Sequence, residues 1–225
     1  MTTAHSDSSS VKEEKYTGRI IEDCYEFCGH KLKITRMIGA NLQFSSTIWE
    51  AGLILCRYFE QQKMNFSGKK VIELGSGTGI VGILAGLLGG EMTLTDRTRT
   101  LMQIEKNISD NFPPAMMNRI KVATLNWGEN QTEFSTNYDY IIGSDIVYSP
   151  SIYPCLIATL KHLSNSNTII FISTKMRRVL DANEFHEKML TQDFNSELVL
   201  RDEEDDVNVY KITKKCPGSN AQAQC

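Results

Sequence analysis

The segment Val71-Ile72-Glu73-Leu74-Gly75-Ser76-Gly77-Thr78-Gly79 joins a short apolar strand to three closely spaced glycines, and an apolar helix is predicted to follow it at 80–88. Glycines let the backbone turn sharply and approach a ligand closely because they carry no Cβ atom. The helix points its first free N–H groups toward the same space. A strand, a glycine turn and a helix in this order predict a site for a nucleoside or dinucleotide cofactor.

The glycine turn alone leaves two cofactors open. Residues 77–82 also fit the dinucleotide pattern G-x-G-x-x-G. Glu73 favours S-adenosylmethionine, because a carboxylate there suits a cationic cofactor and repels a pyrophosphate, although it could also only tie down the turn. Asp96 ends the next predicted strand, where a carboxylate can accept both ribose hydroxyls of either cofactor. The alternative role for Asp96 is to cap the following helix.

Strand-like and helix-like segments alternate on both sides of the glycine turn. We predict further strands at 92–95, 120–125, 138–143 and 168–173, and further helices at 48–59, 98–111, 152–163 and 182–190. This order predicts an α/β fold: a Rossmann-like, seven-stranded, mostly parallel sheet with helices on both faces. Closing strands at 197–200 and 207–212 predict an antiparallel edge strand. Segments 25–27 and 31–35 flank a turn and predict a small N-terminal β-hairpin.

Composition limits the function classes. The 225 residues carry 24 basic and 27 acidic side chains, so the net charge of −3 gives little support for nucleic-acid binding. The longest nearly apolar run, 80–90, is too short to cross a bilayer. Six scattered cysteines indicate reduced thiols in a cytosolic or nuclear compartment, and of these we expect a cytoplasmic location. We expect one domain at 19–213, with disordered tails at 1–18 and 214–225, and no metal site.

Five motifs carry a family resemblance, and they occur in this order: TIWEA at 47–51, VIELGSGTG at 71–79, TLTD at 93–96, LNWG at 125–128 and GSDIVY at 143–148. Together they resemble the protein-lysine members of the seven-strand, or class I, methyltransferases often grouped as family 16. The resemblance runs from about residue 24 to residue 213. It implies an S-adenosylmethionine-dependent protein-lysine N-methyltransferase that releases S-adenosylhomocysteine.

The same resemblance implies which residues form the site. Its cofactor contacts fall on Trp49, Gly75, Ser76, Gly77, Asp96, Trp127 and Ser144. Glu73 joins these residues because its carboxylate suits a cationic cofactor. The implied catalytic, substrate-side residues are Asp145 and Tyr148, which form the family's Asp-x-x-Tyr motif. Judged without the family, Trp49 is more typical of core packing than of a cofactor contact, Trp127 could cap the sheet edge, and Asp145 is equally typical of a turn or a helix cap. Lys175, Arg177 and Arg178 are expected to form a solvated loop.

The implied substrate is a protein. The runs at 25–30, 68–84 and 201–210 look like family members that methylate translation elongation factor 1-alpha. Sister members act on Hsp70-type chaperones or on an AAA-type ATPase, and a small-molecule substrate is a further alternative because fold does not fix function. We expect a monomer with no membrane partner.

Overall fold

The computed structural model describes residues 18–39 and 42–215. Within them the strands are β1 (Arg19–Phe27), β2 (His30–Ile38), β3 (Lys70–Leu74), β4 (Glu91–Asp96), β5 (Ile120–Thr124), β6 (Tyr140–Ser144), β7 (Ile169–Lys175), β8 (Phe194–Asp202) and β9 (Val207–Lys214). The α-helices are α1 (Glu50–Gln61), α2 (Ile80–Leu87), α3 (Leu101–Asn111) and α4 (Tyr153–Leu163). Short 3-10 turns lie at Gln43–Ser46, Thr98–Thr100, Pro114–Arg119, Gln131–Glu133, Pro150–Ile152, Arg178–Leu180 and Leu190–Gln192.

Strands β3 to β9 form one seven-stranded sheet in the order β5-β4-β3-β6-β7-β9-β8. Strands β3 to β7 are parallel, and β9 is antiparallel to both of its neighbours. The predicted mostly parallel sheet is therefore confirmed, with its antiparallel strand one position inside the edge, since β8 covers it. The strand order reverses at β3, which lies between β4 and β6. Ligands of open α/β sheets bind at this position, beyond the carboxyl ends of the strands.

The sheet is covered on both faces by separate groups of apolar side chains. Alternate residues of β3 divide between the two faces, because successive side chains of a strand point in opposite directions. Val71 packs with the cluster under α1, α2 and α3, whereas Ile72 and Leu74 pack with the cluster under α4. Burial on both faces explains why β3 is almost continuously apolar in sequence.

The predicted N-terminal hairpin is formed by β1 and β2, which pair along their whole length. Two buried amides of α3 join this hairpin to the glycine turn. Asn107 bonds both backbone groups of Thr35 and donates to the carbonyl of Thr78 (2.8 Å). Gln103 accepts from the N–H of Met37 (2.8 Å) and donates to the carbonyl of Gly77 (3.0 Å). The hairpin and the glycine turn are thus held by the same helix.

Two predictions in the C-terminal part of the chain differ from the structure. The helix predicted at 182–190 is instead a π-helical segment, Glu184–Met189, flanked by 3-10 turns. Its wider register accompanies the burial of two consecutive side chains, Phe185 and His186. The predicted C-terminal tail begins one residue too early, because β9 pairs through Lys214. Residues 1–17 and 216–225, where the other tail predictions fall, lie outside the described residues.

Candidate functional site

A cleft of about 620 Å³ opens beyond the carboxyl ends of β3, β4, β5 and β6. This volume is typical of a site for one small ligand. Its walls contain nearly all of the predicted site residues, namely Trp49, Gly75, Ser76, Gly77, Asp96, Trp127, Ser144, Asp145 and Tyr148. Glu73 is the exception. The parallel strands bring these residues together although they are spread over about a hundred positions of sequence.

The floor of the cleft is the glycine turn after β3. Gly75, Gly77 and Gly79 have φ values of 62°, 57° and 82°, which are left-handed conformations that side chains disfavour. A Cβ atom at Gly75 would also come within 3.0 Å of Ile146 and 3.3 Å of Trp127. Ser76 fastens the turn to β4, because its N–H donates to the carbonyl of Thr95 (2.9 Å). The glycines therefore set the backbone path and leave the cleft open.

Glu73 lies beneath this turn, and its side chain does not reach the cleft. The residue is 1% exposed, and its Oε1 accepts the N–H of Gly82 in α2 (3.2 Å). Its Oε2 is buried without a hydrogen-bond partner in the described part of the chain. Burial raises the pKa of Glu73 to about 8, against the opposing effects of hydrogen bonds from Ser76 and Gly82. Glu73 therefore supports the turn as a neutral acid, and we leave it out of the proposed cofactor contacts.

Glu73→Gln is expected to weaken the pH dependence of stability. Because the pKa of Glu73 is about 8 in the folded protein and 4.5 ordinarily, the folded state binds an extra proton between these values. The free energy of unfolding therefore falls as pH rises through this range. A neutral glutamine removes this loss. As pH rises from 5 to 9, the free energy of unfolding of the variant should therefore gain on the order of 2–4 kcal/mol relative to that of wild type.

Urea unfolding at pH 5, 7 and 9 measures this difference. The control is Glu91→Gln, which changes an exposed glutamate at the start of β4 and should follow the wild-type slope. Equal pH slopes for Glu73→Gln and wild type would show that Glu73 does not bind this proton.

Asp96 ends β4 with its carboxylate at the cleft wall, where the residue is 8% exposed. Oδ2 accepts the N–H of Gly77 (2.9 Å) and Oδ1 accepts the N–H of Arg97 (2.7 Å). Both oxygens keep lone pairs, because each carboxylate oxygen accepts two hydrogen bonds. The two backbone donors thus fix the orientation of an acceptor that can still receive a pair of hydroxyl groups.

Aromatic side chains line the cleft at two places. Trp49 precedes α1, and its Nε1 donates to the carbonyl of Phe44 (3.2 Å). Trp127 follows β5 and packs 6.2 Å from the ring of Tyr148, which is 44% exposed at the rim. Ser144, at the end of β6, also lines the cleft. Flat apolar walls with a few polar groups suit an aromatic base joined to a polar chain.

Asp145 directly follows β6 in a left-handed conformation, with φ of 51°. Its N–H donates to the carbonyl of Ser173 (2.8 Å), which fixes the residue to β7. Its carboxylate accepts two hydrogen bonds from the guanidinium of Arg177, at 2.8 and 2.7 Å. The guanidinium also lies 5.3 Å from the ring centre of Trp49. The prediction of a solvated loop is therefore wrong for Arg177, which is part of the cleft.

Sequence reasoning missed three residues of the site and its support: Arg177, Gln103 and Asn107. The position of Arg177 two residues after β7, at the same sheet edge as Asp145, was a usable signal. For Gln103 and Asn107 the sequence offered only a weak signal, namely polar residues on the face of α3 that packs into the core. No group of three or more His, Cys, Asp or Glu within 18–39 and 42–215 is arranged to hold a metal ion. The same ranges contain no helix long and apolar enough to span a membrane.

The cleft fits S-adenosylmethionine. The fixed carboxylate of Asp96 suits a ribose, the wall of Trp127 suits adenine, and the open backbone of Gly75 and Gly77 suits the amino-acid chain. Its pattern of a glycine turn, an acidic strand end and an Asp-x-x-Tyr loop on a seven-stranded sheet defines a class I methyltransferase. S-adenosylmethionine is the methyl donor of that class.

Solved structures with this fold agree with the class. A TehB-like S-adenosylmethionine-dependent methyltransferase from Corynebacterium glutamicum superposes with a TM-score of 0.57 at 14% identity, covering 75% of this chain and 89% of that chain. The glycopeptide N-methyltransferase MtfA, complexed with S-adenosylmethionine, gives a TM-score of 0.57 at 13% identity, covering 74% of this chain and 95% of that chain. At these identities the likeness concerns the fold.

The chain belongs to the lysine methyltransferase family, whose model matches residues 27–192. EEF1A lysine methyltransferase 3 of Xenopus tropicalis is 49% identical, over 86% of this chain and 85% of the relative. The mouse protein of the same name is 42% identical over 94% of each. Protein N-lysine methyltransferase METTL21A of Xenopus tropicalis is 37% identical over 83% of this chain and 85% of the relative. The resemblance predicted from the five motifs is confirmed, and the protein is an S-adenosylmethionine-dependent protein-lysine methyltransferase.

Proposed function

We propose that the protein methylates a lysine of translation elongation factor 1-alpha. The observation that carries this proposal is the difference in identity between relatives. The two named for the elongation factor are 49% and 42% identical to this chain, whereas the METTL21A proteins of three species are 34–37% identical. The elongation factor is a cytoplasmic protein, so we place the reaction in the cytoplasm. The proposed catalytic unit is residues 19–213, acting as a monomer.

The proposed cofactor contacts are Trp49, Gly75, Ser76, Gly77, Asp96, Trp127 and Ser144, all at the cleft. Asp96 binds the ribose hydroxyls with the lone pairs that its backbone donors leave free. Trp127 contacts the adenine, and Trp49 and Ser144 enclose the other end of the cofactor. Asp145 and Tyr148 are the proposed residues on the substrate side.

When bound, S-adenosylmethionine would supply a methyl group on a cationic sulfur. The lone pair of a lysine amine would attack the carbon of this methyl group, and the carbon–sulfur bond would break to release S-adenosylhomocysteine. The contribution of the protein is to orient the amine and keep water away from it. Deprotonating a lysine with the ordinary pKa of 10.4 costs on the order of 4 kcal/mol at neutral pH. Asp145 accepts a hydrogen bond from the amine and aims its lone pair. The exposed ring of Tyr148 lines the entrance and contacts the aliphatic stem.

A competition between purified substrates tests this function. With labelled S-adenosylmethionine, we expect label in elongation factor 1-alpha at a rate at least about tenfold above that in an Hsp70-type chaperone or an AAA-type ATPase, since one missing pocket contact changes discrimination by about 10- to 200-fold. Mass spectrometry of the labelled factor then identifies the lysine. Preferential labelling of the chaperone, of the ATPase or of small metabolites from a cell extract would overturn the proposed substrate.

A further inference from the structure

The pairing of Asp145 with Arg177 poses a question about charge at the cleft. The side chain of Asp145 is 4% exposed, and that of Arg177 is 25% exposed. Two parallel hydrogen bonds between a guanidinium and a carboxylate form the strongest geometry for such a pair. The carboxylate proposed to receive the substrate amine is therefore already paired with the positive charge of Arg177.

Counting lone pairs shows what Asp145 can still accept. Each carboxylate oxygen accepts two hydrogen bonds, and the guanidinium of Arg177 occupies one on each. The N–H of Lys175 points to Oδ1 at 3.3 Å and takes its second position. In the described part of the chain, one lone pair of Oδ2 remains. A single acceptor position suits one N–H of an amine.

An unpaired carboxylate would work against the reaction. A negative charge close to an amine favours the ammonium form and raises its pKa. The ammonium form has no lone pair and cannot attack a methyl group. Pairing Asp145 with a fixed positive charge removes this penalty and keeps the hydrogen-bond acceptor.

We propose that Arg177 is a positioning residue that neutralises and orients Asp145, so that Oδ2 accepts a hydrogen bond from a neutral lysine amine instead of holding an ammonium ion. This inference deepens the proposed function and rests on it. Arg177 acts through Asp145 and does not itself contact the reacting atoms. Its contact with the ring of Trp49, at 5.3 Å, also holds the guanidinium in the cleft.

Other charges near the pair do not replace Arg177. The hydrogen bond to Asp145 raises the pKa of Arg177 further above its ordinary value, so the guanidinium stays charged throughout the working range. The ammonium of Lys175 instead faces Glu50, at 3.5 Å. Besides the pair, the charged and titratable groups around the cleft come from α1, α4, β4, β7 and the segments after β4, β5 and β6, and are Glu50, Cys155, Asp96, Lys175, Arg97, Glu129 and Tyr148.

The first test is the pH dependence of kcat for elongation factor 1-alpha, with Arg177→Gln and Arg177→Lys compared with wild type, because kcat reports the pKa values of groups in the enzyme–substrate complex. Arg177→Gln leaves Asp145 unpaired, so we expect its profile to move about one pH unit higher. At pH 7 it should lose about tenfold in kcat and recover most of this by pH 9.5. Arg177→Lys should restore much of the wild-type profile. The matched control is Arg36→Gln, which removes an arginine of equal exposure from a hairpin pair with Asp23.

The second test counts protons. Calorimetry in buffers of different ionisation enthalpy measures the protons released when elongation factor 1-alpha binds the enzyme loaded with sinefungin, a cationic analogue of the methyl donor. Wild type should release close to one proton at pH 8, and Arg177→Gln less than about half as many. An equal loss of kcat at every pH, or unchanged proton release, would overturn the role of Arg177. Wild-type inactivity on the factor would instead overturn the proposed substrate.

Discussion

Asp145→Ala should lower kcat by about 100-fold or more, while the Kd for S-adenosylmethionine changes by less than about threefold. The expected loss follows from removal of the acceptor that aims the amine, because misplacement of a reacting group by about 1 Å costs about 100-fold. Cofactor binding should survive because the proposed cofactor contacts do not include Asp145. Single-turnover kinetics and calorimetry measure the two quantities separately.

The backbone at Asp145 requires a special control. Its φ of 51° is a conformation that aspartate tolerates better than alanine, so the substitution carries a backbone cost as well as a chemical one. Asp181 has the same φ of 51° and is exposed, and it does not line the cleft. Asp181→Ala should therefore reproduce the backbone cost without the loss of kcat. Normal turnover of Asp145→Ala would exclude the proposed role.

Asp96→Ala should weaken S-adenosylmethionine binding by on the order of 2–4 kcal/mol, which raises its Kd about 30- to 1000-fold. The substitution removes the acceptors for both ribose hydroxyls. It also frees the N–H of Gly77, which Oδ2 now holds within the cleft floor. With cofactor at saturation, kcat should recover to within about threefold of wild type, because Asp96 does not contact the reacting amine.

Asp139→Ala is the matched control for Asp96. Asp139 also accepts a backbone N–H at a strand end, from Lys70 at 2.9 Å, but it lies at the amino ends of the strands, away from the cleft. Calorimetry should give it the wild-type Kd for S-adenosylmethionine. An unchanged Kd for Asp96→Ala would reject the ribose contact, and another residue would then have to bind the nucleoside.

The fold could be predicted because its signals are local. The apolar run before Gly75, the glycines themselves and the regular alternation of strand and helix each follow from short-range chemistry. Parallel strands then bring Asp96 and Asp145 to one edge by topology alone. The sequence therefore predicts a methyltransferase cleft at that edge, and the family motifs predict which residues line it.

The partners of the charged side chains could not be predicted. Glu73 stands at a strand end, where sequence alone cannot tell a carboxylate that faces the ligand from one under α2. The structure shows that it faces Gly82, whose missing side chain makes room for it. Arg177 likewise looked solvated, because its pairing with Asp145 joins two loops that are 32 positions apart. Such pairings depend on side-chain direction, which residue spacing does not record.

Through the amides of Gln103 and Asn107, the N-terminal hairpin stabilises the glycine turn that forms the floor of the cleft. A shortened enzyme that began at β3 would keep the complete sheet, yet the glycine turn would lose the shared clamp that now links it to β2. The smallest unit worth transplanting into another protein, or dividing into complementing fragments, must therefore include β1 and β2 and start no later than Arg19.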